Sequence, residues 1–208
     1  MASLWLAGPG LGEKKGGVVQ MEFYPAGRPV PQEKRTSRLF LRPLRETDVE
    51  SDYEAVTSSA ERLRRWSQGG WPAGDFTMAQ NLADLQRHER EHIERKAFTF
   101  TVLDPEGTRC LGCVYIQPLW PEDVPLCKDA AYAADVGFWV RTSEVSSSLD
   151  EHLLATLCNW FQAEWAFDRI VFTVSPQDPH HAALFGAAGL ERRLAYTSPD
   201  GRSWWVFG

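Results

Sequence analysis

An α/β fold (α+β in its detail) is predicted by three observations. Strand-like apolar runs are interspersed with stretches of helical period. Two hairpin signals stand out, Asp104-Pro105-Glu106-Gly107 and Ser198-Pro199-Asp200-Gly201. A strand, a long helix and a second strand follow one another between Ala134 and Val174, which is a βαβ unit. At 208 residues the chain suits one domain and is too short for two ordinary ones. With 43% hydrophobic and 24% charged residues, its body is expected to fold.

The elements justify this in order. Residues 1–35 are rich in Gly, Pro and Lys and show no apolar period, so they are expected to form an arm, poorly ordered in part, ahead of a domain at 36–208. Met21 is a second candidate for the natural start. Arg38 to Leu44 reads as a first strand that stops at Pro43. Val49, Tyr53, Val56, Ala60 and Leu63 predict one helix from Thr47 to Trp66, capped by Thr47 or Asp48. After the Gly69 to Gly74 break, Met78, Leu82, Leu85 and Ile93 mark one face of a second helix. Phe98 to Leu103 and Cys110 to Pro118 form a hairpin, and Trp120 to Ala131 reads as a loop. Ala134 to Arg141 is a strand, Leu149 to Ala166 a helix and Arg169 to Val174 a strand. Pro179 to Ala188 forms a short helix ending at a left-handed Gly189. A last hairpin joins Glu191 to Thr197 and Ser203 to Phe207.

A net charge of -6 supplies no broad positive field, so nucleic acid is not expected as a partner. The only basic cluster, Arg62, Arg64 and Arg65, reads as a solvated helix face. No apolar run reaches the roughly 18 residues of a membrane span, and Met1 to Gly12 lacks a signal-peptide pattern, so a cytoplasmic location is expected. Cys110 and Cys113 have the spacing of a metal or redox pair, but no second pair answers them. On a regular strand an offset of three puts their thiols on opposite faces, so both are read as buried structural residues.

The element order from Arg38 to Phe207 resembles that of the GNAT superfamily, in the branch of the ribosomal-protein N-acetyltransferases. Arg38 to Leu44 with Thr47-Asp48 is similar to that branch's opening strand and cap, and Leu111 to Ile116 to its third strand. Ala134-Asp135-Val136-Gly137-Phe138-Trp139-Val140 is similar to its fourth strand, and Asp178 to Leu190 to its late helix and following strand. The resemblance implies a mixed, mostly antiparallel central sheet flanked by helices and an acetyl group moved from acetyl-CoA, as co-substrate, to an amine by direct attack. The acceptor would be a small molecule or a peptide. No metal is expected, and a homodimer would accord with the family.

By the same resemblance Phe138, Trp139 and Val140 would flank the pantetheine arm, and a loop from Thr142 to Ser148 would receive the pyrophosphate. Asp178 and His181, standing for an Asn and a Ser, would lie along the cofactor's path. Glycine admits close backbone approach to phosphate, and a helix N-terminus favours negative charge. Here the two glycines align with Ser146 and Ser148, with Ser147 between them. Ser148 and Glu151 can form a capping box that satisfies the helix end. Asp150 and Glu151 add two carboxylates, each repelling a unit charge about 6 Å away by roughly 0.7 kcal/mol in water and about 2.8 kcal/mol at an effective dielectric near 20. Weakened cofactor binding is therefore expected, and a GNAT-like domain that binds a ligand or partner without catalysis stands as the alternative.

Acetyl transfer needs a base for the amine and an acid for the thiolate. Asp135 is the candidate base or acceptor-positioning carboxylate, or else a strand-end carboxylate that accepts hydrogen bonds from a neighbouring loop. The candidate acid is Tyr196 or Tyr132, neither of which matches the late-helix tyrosine of some GNAT enzymes. His181 reads as a surface residue more readily than as a catalyst. His88-Glu89-Arg90-Glu91-His92 satisfies the HExxH zinc pattern, but its flanks read as a solvated helix and no third ligand follows. By helical angle Glu89 shares the face of Met78, Leu82 and Leu85, which, if that face packs on the sheet, makes it a second candidate carboxylate in the cleft or else a partly buried hydrogen-bonded residue. Trp66, Trp71 and Trp120 could border an acceptor pocket or simply pack the core.

Overall fold

The computed structural model describes residues 22–119, 129–197 and 201–208. Trp120, Cys127, Met21 and the turn residues Ser198 to Asp200 lie outside them. Eight strands form one sheet in the order β1-β2-β3-β4-β5-β6-β8-β7. They are β1 (Lys34–Arg35), β2 (Phe40–Pro43), β3 (Phe98–Leu103), β4 (Cys110–Pro118), β5 (Ala133–Val140), β6 (Arg169–Val174), β7 (Arg192–Thr197) and β8 (Ser203–Phe207). The β5–β6 pair is parallel and the others antiparallel. The helices are α1 (Val49–Ser58), α2 (Ala60–Ser67), α3 (Met78–Ile93), α4 (Leu149–Glu164) and α5 (Pro179–Ala187). This is the mixed, mostly antiparallel sheet with flanking helices that the resemblance implied. Among the described residues no helix is long and apolar enough to cross a membrane.

One face of the sheet carries a core of Phe98, Phe100, Phe138, Leu153, Leu157, Trp160 and Phe185, joining α4 and α5 to the strands. The opposite face packs Val56, Leu63, Trp66 and Trp71 against Tyr115, Trp139 and Trp204. Strand alternation sorts β5 between the two, with Phe138 and Val140 on the first face and Trp139 on the second.

Several expectations need correction. The later part of the residues 1–35 read as an arm packs on the sheet. Phe23 and Tyr24 are buried against Phe98 and Phe167, and Lys34–Arg35 pairs with β2. The helix expected from Thr47 to Trp66 breaks at Ser59, whose hydroxyl accepts the Thr142 amide at 3.1 Å. Arg141 sits beside the break, paired with Glu54 and Ser58. Asp48 does not cap α1 with its side chain, because its carboxylate accepts the Arg45 amide and a bidentate pair from Arg42. Cys110 and Cys113 reach the same cluster because Leu111 is an extra residue opposite Val102 and Leu103, a bulge that resets the alternation. Burial pushes the Cys110 thiol up to about 12. α5 ends as read, with Gly189 at φ +82 and the Leu190 amide returning to Phe185 O.

Candidate functional site

The site begins where two strands part. β5 keeps β4 beside it from Ala134 to Val140, yet pairs with β6 only from Ala133 to Val136. Past that point β6 continues against β8, and its Val174 leads into the turn before α5. The Arg141 amide donates to Leu111 O on β4. With the alternation of a strand's hydrogen-bonding sides, Val140 and Phe138 therefore turn their peptide groups toward the gap. The Arg62 Nη1 donating to Val140 O at 2.8 Å enters from that side. A cleft of about 720 Å³ opens here, walled by Thr142, Val145 and Ser146 after β5, by Gln177 to His180 before and within α5, and by Arg62 and Arg65 of α2.

The loop after β5 is a 3-10 turn, Thr142–Ser147, followed by Ser148 in the left-handed region at φ 55 and ψ 35. That backbone conformation is the one glycine adopts without strain, and here a serine holds it. The expected capping box does not form, since the Ser148 side chain makes no capping bond from a left-handed residue. Of the three serines Ser146 lines the cleft. The carbonyls of Ser147 and Ser148 instead accept the Arg38 guanidinium, and the Ser147 hydroxyl donates to Glu144 O.

Asp150 corrects the repulsion argument. Its side chain is 2% exposed; Oδ1 accepts the Glu151 amide in the first turn of α4, and Oδ2 faces His180 Nε2 at 2.5 Å and Arg62 Nη2 at 3.7 Å. The carboxylate is thus an internal anion at the helix N-terminus, faced by the Arg62 guanidinium and the His180 imidazole, rather than a bare charge. Arg62 is correspondingly not a solvated residue. Burial lowers its pKa, while Asp178 and Asp150 oppose that shift. Arg64 is likewise engaged, its Nε donating to Pro72 O. Sequence reasoning missed Arg62 and His180 as site residues; the clue was Arg62 standing next to the apolar Leu63 on a helix otherwise marked by Trp66.

Asp135 lies on β5 one residue before the parting, its side chain on the Trp139 face. Its carboxylate accepts Thr173 Oγ1 at 2.8 Å and the Thr173 amide at 3.2 Å, and burial pushes it up to about 7. Tyr196, half-buried on β7, packs on the two clusters of that same face that contain Trp204 and Val171. Tyr132 precedes β5 at the end away from the cleft, its amide donating to Asp168. Glu89 is not brought to the cleft. Its carboxylate accepts the Glu46 amide at 2.8 Å, because α3 buries Asn81, Leu85 and His88, a face rotated from the Met78 and Leu82 stripe. Met78 is exposed.

Asp178 and His181 form a second acid and imidazole pair. Asp178 caps α5 by accepting the His181 amide at 3.2 Å, and its other oxygen meets His181 Nδ1 at 2.6 Å. His181 is buried, not a surface residue, at 2% exposure, with its ring 5.2 Å from that of Phe138. The histidines of the HExxH stretch turn onto the sheet. His88 Nδ1 meets Thr99 Oγ1, and His92 packs between Phe98 and Phe100. Among the described residues no cluster of three or more His, Cys, Asp or Glu side chains could hold a metal. Trp66 and Trp71 are buried in the core cluster with Tyr115 and Trp139, where the Trp139 Nε1 donates to the Tyr115 hydroxyl.

Residues 38–191 match a family model described as the acetyltransferase (GNAT) domain. A search of curated proteins finds no match. Among solved structures the chain is similar to RimL, a ribosomal L7/L12 alpha-N-protein acetyltransferase in complex with coenzyme A, at 15% identity and a TM-score of 0.64, covering 83% of this chain and 93% of that one. It is similar to the ribosomal-protein-S5-alanine acetyltransferase of Vibrio fischeri at 16% identity and a TM-score of 0.64, covering 85% and 95%. It is also similar to the microcin C7 self immunity acetyltransferase MccE in complex with acetyl-CoA and AMP, at 11% identity and a TM-score of 0.67, covering 83% and 92%. At these identities the likeness establishes the fold.

Proposed function

The chain belongs to the GNAT acetyltransferase family, and on that footing we propose that it moves an acetyl group from acetyl-CoA to an amine by direct attack, with no covalent enzyme intermediate. The observation that carries this reading is the gap between β5 and β6 beyond Val136, with a cleft at its mouth and Asp135 at its root. Phe138 and Val140 offer peptide groups to the pantetheine arm, with Trp139 supporting the strand from the other face. The loop of Ser146, Ser147 and Ser148 receives the pyrophosphate, with Ser146 at the wall and the cations Arg62 and Arg65 opposite. Asp178 and His181 border the path.

Asp135 takes the proton of the incoming amine. A base of pKa near 7 suits an α-amine, ordinarily at about 7.7 to 8.0, better than a lysine at about 10.4. We therefore favour a peptide N-terminus as acceptor. The similarity to structures described as N-terminal acetyltransferases of ribosomal proteins supports the same class. Tyr196, on the face of Asp135, borders the acceptor's approach. Glu89 has no part in the reaction.

Two observations favour a second reading, a domain that no longer binds coenzyme A. Asp150 already fills the α4 N-terminus with an anion, and Arg62 already holds Val140 O. Calorimetric titration of acetyl-CoA, followed by an assay on peptides with N-terminal Ser or Ala, separates the two. Binding with turnover supports the transferase; no binding by the native chain, with affinity appearing only in Ser146→Gly/Ser148→Gly, supports the second reading.

A further inference from the structure

We infer that His181, oriented by Asp178, is the proton donor to the departing thiolate, so that acyl transfer runs between Asp135 on one face of β5 and an imidazole on the other. This rests on the acetyl-CoA reading above and adds to it the acid that Tyr196, on the same side as the base, does not supply.

Asp178 grips His181 twice, at the amide through Oδ1 and at Nδ1 through Oδ2. An ionised carboxylate keeps the proton of that pair on Nδ1, so Nε2 is the nitrogen left for chemistry. That Nε2 is buried without a hydrogen-bond partner among the described residues. A cap alone would be served by the Asp178 carboxylate and any residue's amide, so nothing in the cap explains a buried imidazole nitrogen with no mate. The ring stands edge to face with Phe138, the second residue past the last β5–β6 pair. Asp135 occupies the opposite face of β5, one residue before that last pair. Two titratable groups therefore flank the gap from its two sides, an arrangement that lets the amine lose its proton on entry while the sulfur gains one on exit.

The proton account closes. As the amine nitrogen forms its bond to the acyl carbon, its proton passes to the Asp135 carboxylate. The carbon–sulfur bond breaks and the electron pair stays on sulfur, which takes the proton of imidazolium Nε2. Asp135 then releases its proton to solvent, and neutral His181 regains one from solvent. The titratable and charged groups facing His181 are Asp178 on its own helix, His180 at 5.6 Å between rings, and Arg62 of α2, whose charge acts on Asp178. β5 and the body of α5 present Phe138 and Phe185 to it.

The test compares His181→Gln with the native protein on two acetyl donors, acetyl-CoA and an acetyl nitrothiophenyl thioester whose leaving group is stable as an anion. With acetyl-CoA, kcat is expected to fall about 10² to 10⁴-fold with KM changed less than about threefold. With the activated thioester the loss is expected to stay under about tenfold. Asp178→Asn, which keeps a capping side chain, should show a smaller loss of the same pattern. Equal losses with both donors, or no loss with acetyl-CoA, overturn the assignment. Should the variant not fold, the readout is the ¹⁵N histidine spectrum of the native protein during titration with CoA. A His181 Nε2 signal that moves supports the inference, and one that stays fixed while CoA binds overturns it. A native protein that neither binds nor uses acetyl-CoA removes the reading beneath it as well, and that result differs from a bound cofactor with an indifferent His181.

Discussion

Asp150 and His180 are joined at 2.5 Å across the mouth of the cleft, tying the first turn of α4 to the first turn of α5, with Arg62 3.7 Å from the same carboxylate oxygen. On the proposed reading, the pair sets an anion of the protein's own beside the loop that would receive a phosphate of the co-substrate. Asp150→Asn is expected to tighten acetyl-CoA binding about three- to tenfold, the weight of one charge partly compensated by neighbours. It should also lower stability by about 1 to 3 kcal/mol, because the mostly buried Arg62 loses its counter-charge. Calorimetric titration and thermal melting read the two effects separately.

Asp135 sets a pH dependence of activity and of stability with a definite sign. Its pKa is raised from 3.8 to about 7 in the folded protein, so the carboxyl is protonated more readily folded than unfolded. The stability this contributes is present below about pH 4 and is lost as pH rises through about 7. Asp52, buried against Asn81 and pushed up to about 6, loses stability over the lower part of the same window. Urea melts from pH 4 to 8 should show a decline that flattens in Asp135→Asn and flattens further in the double variant with Asp52→Asn. On the proposed reading of Asp135 as the base the sign reverses for activity, since a base must be ionised. kcat/KM should rise through about pH 7, and Asp135→Asn should lower it about 10² to 10⁴-fold.

Ser148 holds φ 55 at the start of α4. A non-glycine residue there carries strain on the order of 1 kcal/mol, part of which glycine returns as added freedom of the unfolded chain. Ser148→Gly is therefore expected to leave stability unchanged or raise it by up to about 1 kcal/mol in chemical melts. Ser146, in the 3-10 turn and outside the left-handed region, gains nothing from the same change and should lose about 0.5 to 1 kcal/mol.

Gly112 faces β5 so closely that an added Cβ would stand 2.0 Å from Trp139 O and 2.9 Å from Val140 Cα. Both contacts are backbone, so the strands must move apart. Gly112→Ala should cost at least about 2 kcal/mol and should loosen the strand that borders the cleft, raising KM for acetyl-CoA. Guanidinium melts and initial rates measure each.

Much of the frame was legible because it rests on short-range signals. The bounds of β3, β4 and β6 follow from apolar runs between Gly, Pro and Asp punctuation, and the Asp104 hairpin closes as read, with the Asp104 carboxylate accepting the Thr108 amide. Errors arose where one element answers to another. The break at Ser59 serves Thr142, 83 residues on; the α3 face turns to bury His88 against Tyr115; and the Leu111 bulge depends on its partner strand. In the site, the resemblance pointed to Asp135 and to β5, whereas the surroundings of Glu89 stayed open in the sequence because helical angle fixes a stripe but not which side of it meets the sheet.

The sequence by itself determined the order of the elements from β2 onward, save the break between α1 and α2, with the two hairpins, the βαβ unit and the glycine stop of α5, because periodicity and turn chemistry act over a few residues. The tertiary structure decided which charges are buried and with whom. Arg62 reaches Val140 across 78 residues, His180 reaches Asp150 across 30, and His181 is buried beside Phe138. A side chain's charge is written in its identity, but its exposure is set by chain segments far away in sequence, and it is exposure that turns an arginine, an aspartate or a histidine from a solvated group into part of a site.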